Sequence, residues 1–386
     1  MKIIVWHNIM WSRYKATVFS ALQAICLQRH TALQIFQIAE TANQRTGLSP
    51  TDTSWHKYPY ELLFKGSYES IPKLSLFWTI ARKTWTDDAD ITVLAGYDRP
   101  EYWLQAIILL WRRKPFACFC DSTVFDNEQK LFTGLLKRLF FRWCSGIFCY
   151  GARAAEYVKL YGASQDKIIH RCQAAALYEG YSPEVALKRR FELFDPLAPA
   201  RFVYVGRFSK EKSIDQLLLA FDRVRATLPA AQLVLVGSGP EEARLRLLCD
   251  QMDLNNHVQF AGAKHGTALF EEYLRSTALV LPSFSEPWGL VVNEALSHAC
   301  PVIVSDRCGC VPELVIDGKT GFAFSWGDIN DLETKMYALA TADHATRFSR
   351  MCLEQIAPFT PENAARSILD GAIVLAARHK PELIMQ

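Results

Sequence analysis

Two glutamates with one other feature between them offer the first chemistry in this 386-residue chain. Residues 283–294 read Ser-Phe-Ser-Glu-Pro-Trp-Gly-Leu-Val-Val-Asn-Glu, between short apolar strands at 278–281 and 301–304. Pro287 forbids an earlier helix start, and Gly289 lets another group approach the backbone. A helix is expected from Leu290 to about Ala299. Its first N–H groups, at Leu290 and Val291, lack helical partners and favour an anion. Glu286 lies in the loop and Glu294 about one turn into the helix, roughly 6 Å along its axis. Carboxylates repel phosphate, so these two should accept bonds from hydroxyls beside it. An anion flanked by hydroxyls describes a sugar nucleotide.

Further groups in the same half fit that ligand. Residues 205–213, Val-Gly-Arg-Phe-Ser-Lys-Glu-Lys-Ser, place Arg207 and Lys212 in a loop at a strand end. Ser213 with Gln216 is expected to form a capping box that starts the next helix. Fixed cations there would stabilise the charge that a departing nucleoside diphosphate acquires, without a metal. Gly237, in Val-Gly-Ser-Gly-Pro, suits either a ribose contact or a close backbone approach. The spacing lacks the third glycine and the lysine of the phosphate-binding motifs. His298, at the end of the expected helix, reads as a cation suited to the helix dipole.

The block 282–295 followed by Pro301-Val302-Ile303 resembles the donor-site pattern of the retaining glycosyltransferases of family 4. Glu286 and Glu294 have that family's Glu-x7-Glu spacing. The resemblance implies a GT-B fold, with two Rossmann-like parallel-sheet domains facing a cleft. It implies that Glu286 binds hydroxyls of the donor sugar, Glu294 the ribose, and Arg207 and Lys212 the diphosphate. It implies that the loop 260–264, including Ala263, lines the base pocket through backbone atoms. Gly289, Leu290 and Val291 then complete the donor site. Retention in this family is pictured as same-face attack assisted by the leaving phosphate, so no protein nucleophile is assigned. No cofactor or metal is expected.

The first half departs from the family pattern. Where many members have two glycines after the first strand, this chain has His7-Asn8-Ile9-Met10-Trp11. Asn8 and Trp11 are therefore candidate acceptor contacts. Where many members have a histidine near the sugar, this chain has Asp121. Its carboxylate either bonds a donor or acceptor hydroxyl or caps the following turn. Arg153, opening a helix, is a candidate acceptor or phosphate contact.

These residues need a frame. Short apolar segments alternate with helical ones through both halves, which indicates doubly wound parallel sheets with ligands at the carboxyl ends of strands. Residues 41–59 read as a loop and 181–199 as a linker. An acceptor-binding domain is expected over 1–190, rejoined by a closing helix at 363–380, and a donor-binding domain over 191–362.

Half the residues are hydrophobic and 22% are charged, a globular composition. Eleven scattered cysteines read as buried thiols. Residues 1–195 carry 25 basic and 18 acidic groups, and the remainder 18 and 22, so a net +7 faces a net −4. A basic half suits an anionic neighbour. No basic helix or aromatic motif for nucleic acid stands out, and no apolar run is long enough to span a bilayer. The segment 131–143 mixes Lys137, Arg138 and Arg142 with Phe140 and Trp143. It reads equally as a membrane-interface helix and as an ordinary half-buried one.

The expectation is a metal-independent hexosyltransferase that moves sugar from a nucleotide sugar to a saccharide or lipid-linked saccharide in cell-surface polysaccharide synthesis. It should be cytoplasmic, on the inner face of the membrane. The alternatives are an NAD-dependent oxidoreductase, disfavoured by the missing Gly-x-Gly-x-x-Gly, and an inactive sugar-nucleotide binding module.

Overall fold

The computed structural model describes residues 1–43, 51–126, 131–342 and 347–380. Met1–Ala176 with Thr360–Gln386 form one compact unit and Leu177–Phe359 a second. The first unit runs β1 (Lys2–Ile9), α1 (Arg13–Gln28), β2 (Ala32–Thr41), β3 (Tyr60–Ser67), α2 (Lys73–Trp85), β4 (Ile91–Leu94), α3 (Pro100–Trp111), β5 (Phe116–Cys120), α4 (Leu131–Trp143), β6 (Gly146–Tyr150), α5 (Ala152–Leu160) and β7 (Ile168–Arg171). The second runs α6 (Pro183–Leu193), β8 (Arg201–Val205), α7 (Ile214–Thr227), β9 (Gln232–Val236), α8 (Glu242–Gln251), β10 (Val258–Gly262), α9 (Thr267–Arg275), β11 (Ala278–Leu281), α10 (Leu290–Ser297), β12 (Val302–Ser305), α11 (Val311–Leu314), β13 (Gly321–Phe324), α12 (Ile329–Ala340) and α13 (Arg347–Ile356). A last helix, α14 (Pro361–Ala377), returns to the first unit and lies against α1.

Both sheets are parallel. Their strand orders are β3-β2-β1-β4-β5-β6-β7 and β10-β9-β8-β11-β12-β13. Each order reverses direction at one place, between β1 and β4 and between β8 and β11. Crossover helices diverge there and leave a crevice at the strand ends. The strands are apolar runs because helices cover both faces. In the first unit α1 and α14 bury Phe19, Leu22, Ile368 and Leu369 on one face. On the other, α2 to α5 bury Leu76, Tyr102, Phe140 and Tyr157.

Four local expectations need correction. The strand β3 was not anticipated; it begins directly after the segment 41–59 read as a loop, of which residues 44–50 lie outside the described residues. It is an edge strand whose mixed burial hides the alternation. The expected linker contains helix α6, capped by Ser182 accepting from the Val185 N–H, with Pro183 in the first turn. Arg190 on that helix is buried and donates to the carbonyls of Tyr273, Leu274 and Ser276. The unit boundary therefore falls at 176/177 rather than 190, because α6 is fastened to the second unit. Ser213 forms no capping box: it is left-handed (φ 50°), and its Oγ instead accepts from the Trp326 indole. His298 does stand at the end of α10, but not as a cation. It is buried and stacked on Phe270, with its Nδ1 bonded to the Glu294 carbonyl, and burial lowers its pKa to about 4.

Candidate functional site

The switch point of the second sheet gathers the expected residues. Arg207 follows β8, and its guanidinium donates to Glu211 at 2.9 Å. Ser209 Oγ donates to the same carboxylate oxygen at 2.5 Å. Burial pushes the Glu211 carboxyl upward, but the bonds from Ser209 and Arg207 outweigh it and hold the group below the ordinary range. Lys212 Nζ meets Glu286 Oε2 at 2.5 Å, and both side chains are mostly enclosed, at 16% and 18% exposure. The two loops are also tied through the backbone, since the Phe284 N–H donates to the Glu211 carbonyl at 2.8 Å. The neighbouring β12 loop joins them where the Gly309 N–H donates to the Glu286 carbonyl. Arg207, Lys212 and Glu286 thus converge, three residues from two loops separated by over seventy positions in sequence.

Gly289 stands immediately before α10 with φ 99°, and a Cβ there would lie 2.9 Å from Leu281. A side chain would therefore be strained in conformation and crowded in space. Leu290 and Val291 follow as the half-buried first turn. Glu294 Oε2 accepts from the Tyr273 hydroxyl at 2.7 Å, which fixes the carboxylate one turn along. For Gly237 the structure gives a structural reason. A Cβ would meet the Gly206 carbonyl oxygen at 1.9 Å, so the close backbone approach is to the Arg207 loop itself. Ala263 is exposed just after β10, with its neighbour Lys264 held by Glu272.

In the first unit a cavity of about 820 Å³ opens at the carboxyl ends of β1, β4, β5 and β6. Asn8 and Asp121 line it; Trp11 and Arg153 do not. The Trp11 N–H donates to the Glu40 carbonyl. Arg153 packs over the Phe125 ring at 4.9 Å. Asn8 accepts from the Tyr102 hydroxyl. Asp121 presents open surface, but that surface faces into the cavity and is ringed by protein. Burial raises its carboxyl pKa, against the pull of Lys15. Lys15 is itself lowered well below its ordinary value, by burial first and by Arg171 second. It donates to the Tyr150 hydroxyl and lies 4.1 Å from the centre of that ring.

Several participants have no readable mark in the sequence. Lys15 is one basic residue inside a helix, and only the packing of α1 turns it under the strand ends. Glu211 and Tyr273 gain their roles from partners brought close by the sheet. Arg307 lies over both Phe284 and Trp326, 4.5 Å from each ring centre, and the two rings also touch. The helix α4 buries one face and leaves the other open. Phe140 is fully buried and Trp143 packs edge-on against Trp103, while Leu135, Leu139, Arg138 and Arg142 face outward.

Comparison with known proteins fits this geometry. Residues 187–350 match the family described as glycosyl transferases group 1. The chain is similar to the sulfoquinovosyl transferase SQD2 of Arabidopsis thaliana, at 32% identity over 195 residues, which make up 49% of this chain and 34% of that protein. It is similar to a glycogen synthase of Mycobacterium tuberculosis, at 31% over 159 residues, 40% of this chain and 38% of that one. The matched part thus spans little more than a third of these relatives. Among solved structures, Anabaena Alr3699/HepE in complex with UDP has a TM-score of 0.72 at 17% identity, covering 96% of this chain and 99% of that chain. The lipopolysaccharide outer core galactosyltransferase WaaB, in its apo form, has a TM-score of 0.69 at 17%, with 96% and 99% covered. The fold is therefore GT-B, two Rossmann-like parallel-sheet domains, and residues 187–350, which hold Arg207, Lys212, Glu286 and Glu294, carry the match to the group 1 glycosyl transferases.

Proposed function

We propose that the protein is a retaining, metal-independent glycosyltransferase that moves a hexose from a nucleotide sugar to an acceptor hydroxyl. The observation that carries this reading is the convergence of Arg207, Lys212 and Glu286 at the switch point of the second sheet. The ion pairs suggest how the site is used. Without ligand, Arg207 is matched by Glu211 of its own loop and Lys212 by Glu286 of the other loop. An arriving diphosphate offers Lys212 and Arg207 a stronger partner. Glu286, released from Lys212, can then accept bonds from sugar hydroxyls, while Glu294, oriented by Tyr273, accepts from the ribose. As the glycosidic bond lengthens, charge builds on the diphosphate and the two cations stabilise it. The complexes of HepE with UDP and with UDP-glucose support a uridine nucleotide as the first donor to try.

The acceptor reading places a saccharide, free or lipid-linked, in the first-unit cavity beside Asn8 and Asp121, with the enzyme peripheral on the inner face of the membrane. Supporting this are the net +7 of residues 1–195 and the absence, among the described helices, of one long and apolar enough to cross a membrane. The test is a thermal-shift panel of nucleoside diphosphates followed by donor hydrolysis. A ligand that binds only the native state raises the melting temperature. A melting temperature unmoved by every nucleotide, with no hydrolysis of any nucleotide sugar, overturns the proposal. Stabilisation by a nicotinamide cofactor instead would favour an oxidoreductase.

A further inference from the structure

The outer surface of the first unit carries an apolar patch that the proposed reaction does not use. It belongs to α2 and α3, which lie side by side. Leu74 is 88% exposed, Trp78 64% and Trp111 71%, with Trp85 and Ile107 also open. Trp85 and Trp111 stack on each other at 4.8 Å, and a shallow groove runs between Trp78, Trp85 and Ile108. Each helix buries its opposite side in the core beneath the sheet, so this exposure is not needed for folding. Tryptophans standing in water lose free energy unless something covers them.

The charges around the patch identify the cover. Lys73, Arg82 and Arg113 are exposed, and none is in an ion pair among the described residues. Arg82 lies over the Trp78 ring at 5.4 Å. Residues 70–86 contain no acidic group, and the one in α3, Glu101, is buried. A two-fold contact between copies centred here would set this cationic rim against itself, because each surface meets its own image. A surface of negative charge with an apolar layer beneath it complements both features. Tryptophan is favoured at that boundary, and basic side chains reach the headgroups from it.

We propose that the α2–α3 face, through Trp78, Trp85 and Trp111 with Lys73, Arg82 and Arg113, is the docking surface for an anionic lipid bilayer. This rests on the reading that the enzyme works at a membrane, and it moves the contact away from Phe140 and Trp143 of α4, which the core occupies. The helix α4 neighbours α3 on the same face of the sheet and lends Leu136 and Lys137 to the cavity lining.

The test is cosedimentation of the full chain with vesicles of phosphatidylcholine, with and without phosphatidylglycerol. The wild type is expected to pellet with the anionic vesicles at low salt and to be released at high salt. Arg82→Glu/Arg113→Glu should weaken the apparent affinity by at least roughly 25-fold, about fivefold for each cation lost. Trp78→Ala/Trp111→Ala should weaken it by about tenfold for each tryptophan whose exposed face leaves water. Both variants should keep the wild-type melting temperature and donor hydrolysis, because these side chains lie outside the core and the site. A wild type that stays in the supernatant at low salt overturns the membrane reading together with this inference. Wild-type binding that survives both patch variants, yet falls with Arg138→Glu/Arg142→Glu on α4, overturns this inference alone. Self-association abolished by the tryptophan substitutions, without vesicle binding, would make the patch an interface between copies and also overturn it.

Discussion

The Lys212–Glu286 pair can be tested as both a structural and a chemical element. At 2.5 Å and under a fifth exposed on each side, it is screened less than a surface pair. Lys212→Ala leaves the Glu286 carboxylate in that enclosure without its cation. Removing one partner of a fully buried pair costs about 3–5 kcal/mol. Partial exposure brings the expectation down to about 1–3 kcal/mol, or about 2–12 °C in melting temperature for a unit of this size. Turnover should fall on the order of a hundredfold if Lys212 also stabilises the departing diphosphate. The two losses separate in Lys212→Ala/Glu286→Ala. Removing both charges abolishes the uncompensated carboxylate, so the melting temperature should recover most of its loss while turnover stays low. The assay is a double-mutant cycle, with thermal unfolding and donor hydrolysis measured on the same four proteins. If turnover returns with stability in the double variant, the pair is structural and the clamp has no part in the chemistry.

Three other outcomes are expected. Gly237→Ala should destabilise the second unit by more than about 3 kcal/mol in denaturant titration, since φ is 141° and the Cβ would collide with the Gly206 carbonyl; a loss under 1 kcal/mol would mean the two loops part easily. His298 is held to a pKa of about 4, below its ordinary 6.5, by burial. Its stabilising contribution is therefore complete above about pH 6.5 and is lost as pH falls towards 4, for a total on the order of 3 kcal/mol; His298→Phe should flatten the stability profile in that window, and an unchanged slope would refute the assignment. Transfer should persist in EDTA, and activity abolished by the chelator and restored by magnesium or manganese would show that the two cations are not sufficient.

Much of the second unit was legible because its information is local. Short apolar runs recurring between helical segments specify parallel strands covered on both faces. Pro287 and Gly289 fix where α10 starts, and Arg207, Lys212, Glu286 and Glu294 stand at strand and helix ends where the chain order alone brings chemistry to one side. The edge strand β3 escaped because only one side of it is paired, which leaves its burial too mixed for a clean alternation. The helix α6 escaped although Ser182-Pro183 is a helix start, because prolines on either side gave an equally good reading as a linker. What the tertiary structure decided is who faces whom. It gave Lys212 to Glu286 and Tyr273 to Glu294, brought Gly237 against Gly206, and placed Lys15 beneath the strand ends beside Tyr150. It also turned Phe140 inward and Trp78 and Trp111 outward. A helix written with aromatic residues on more than one side has several faces it could bury. Only the sheet it packs against selects one, and the face left over is the one available to the surroundings.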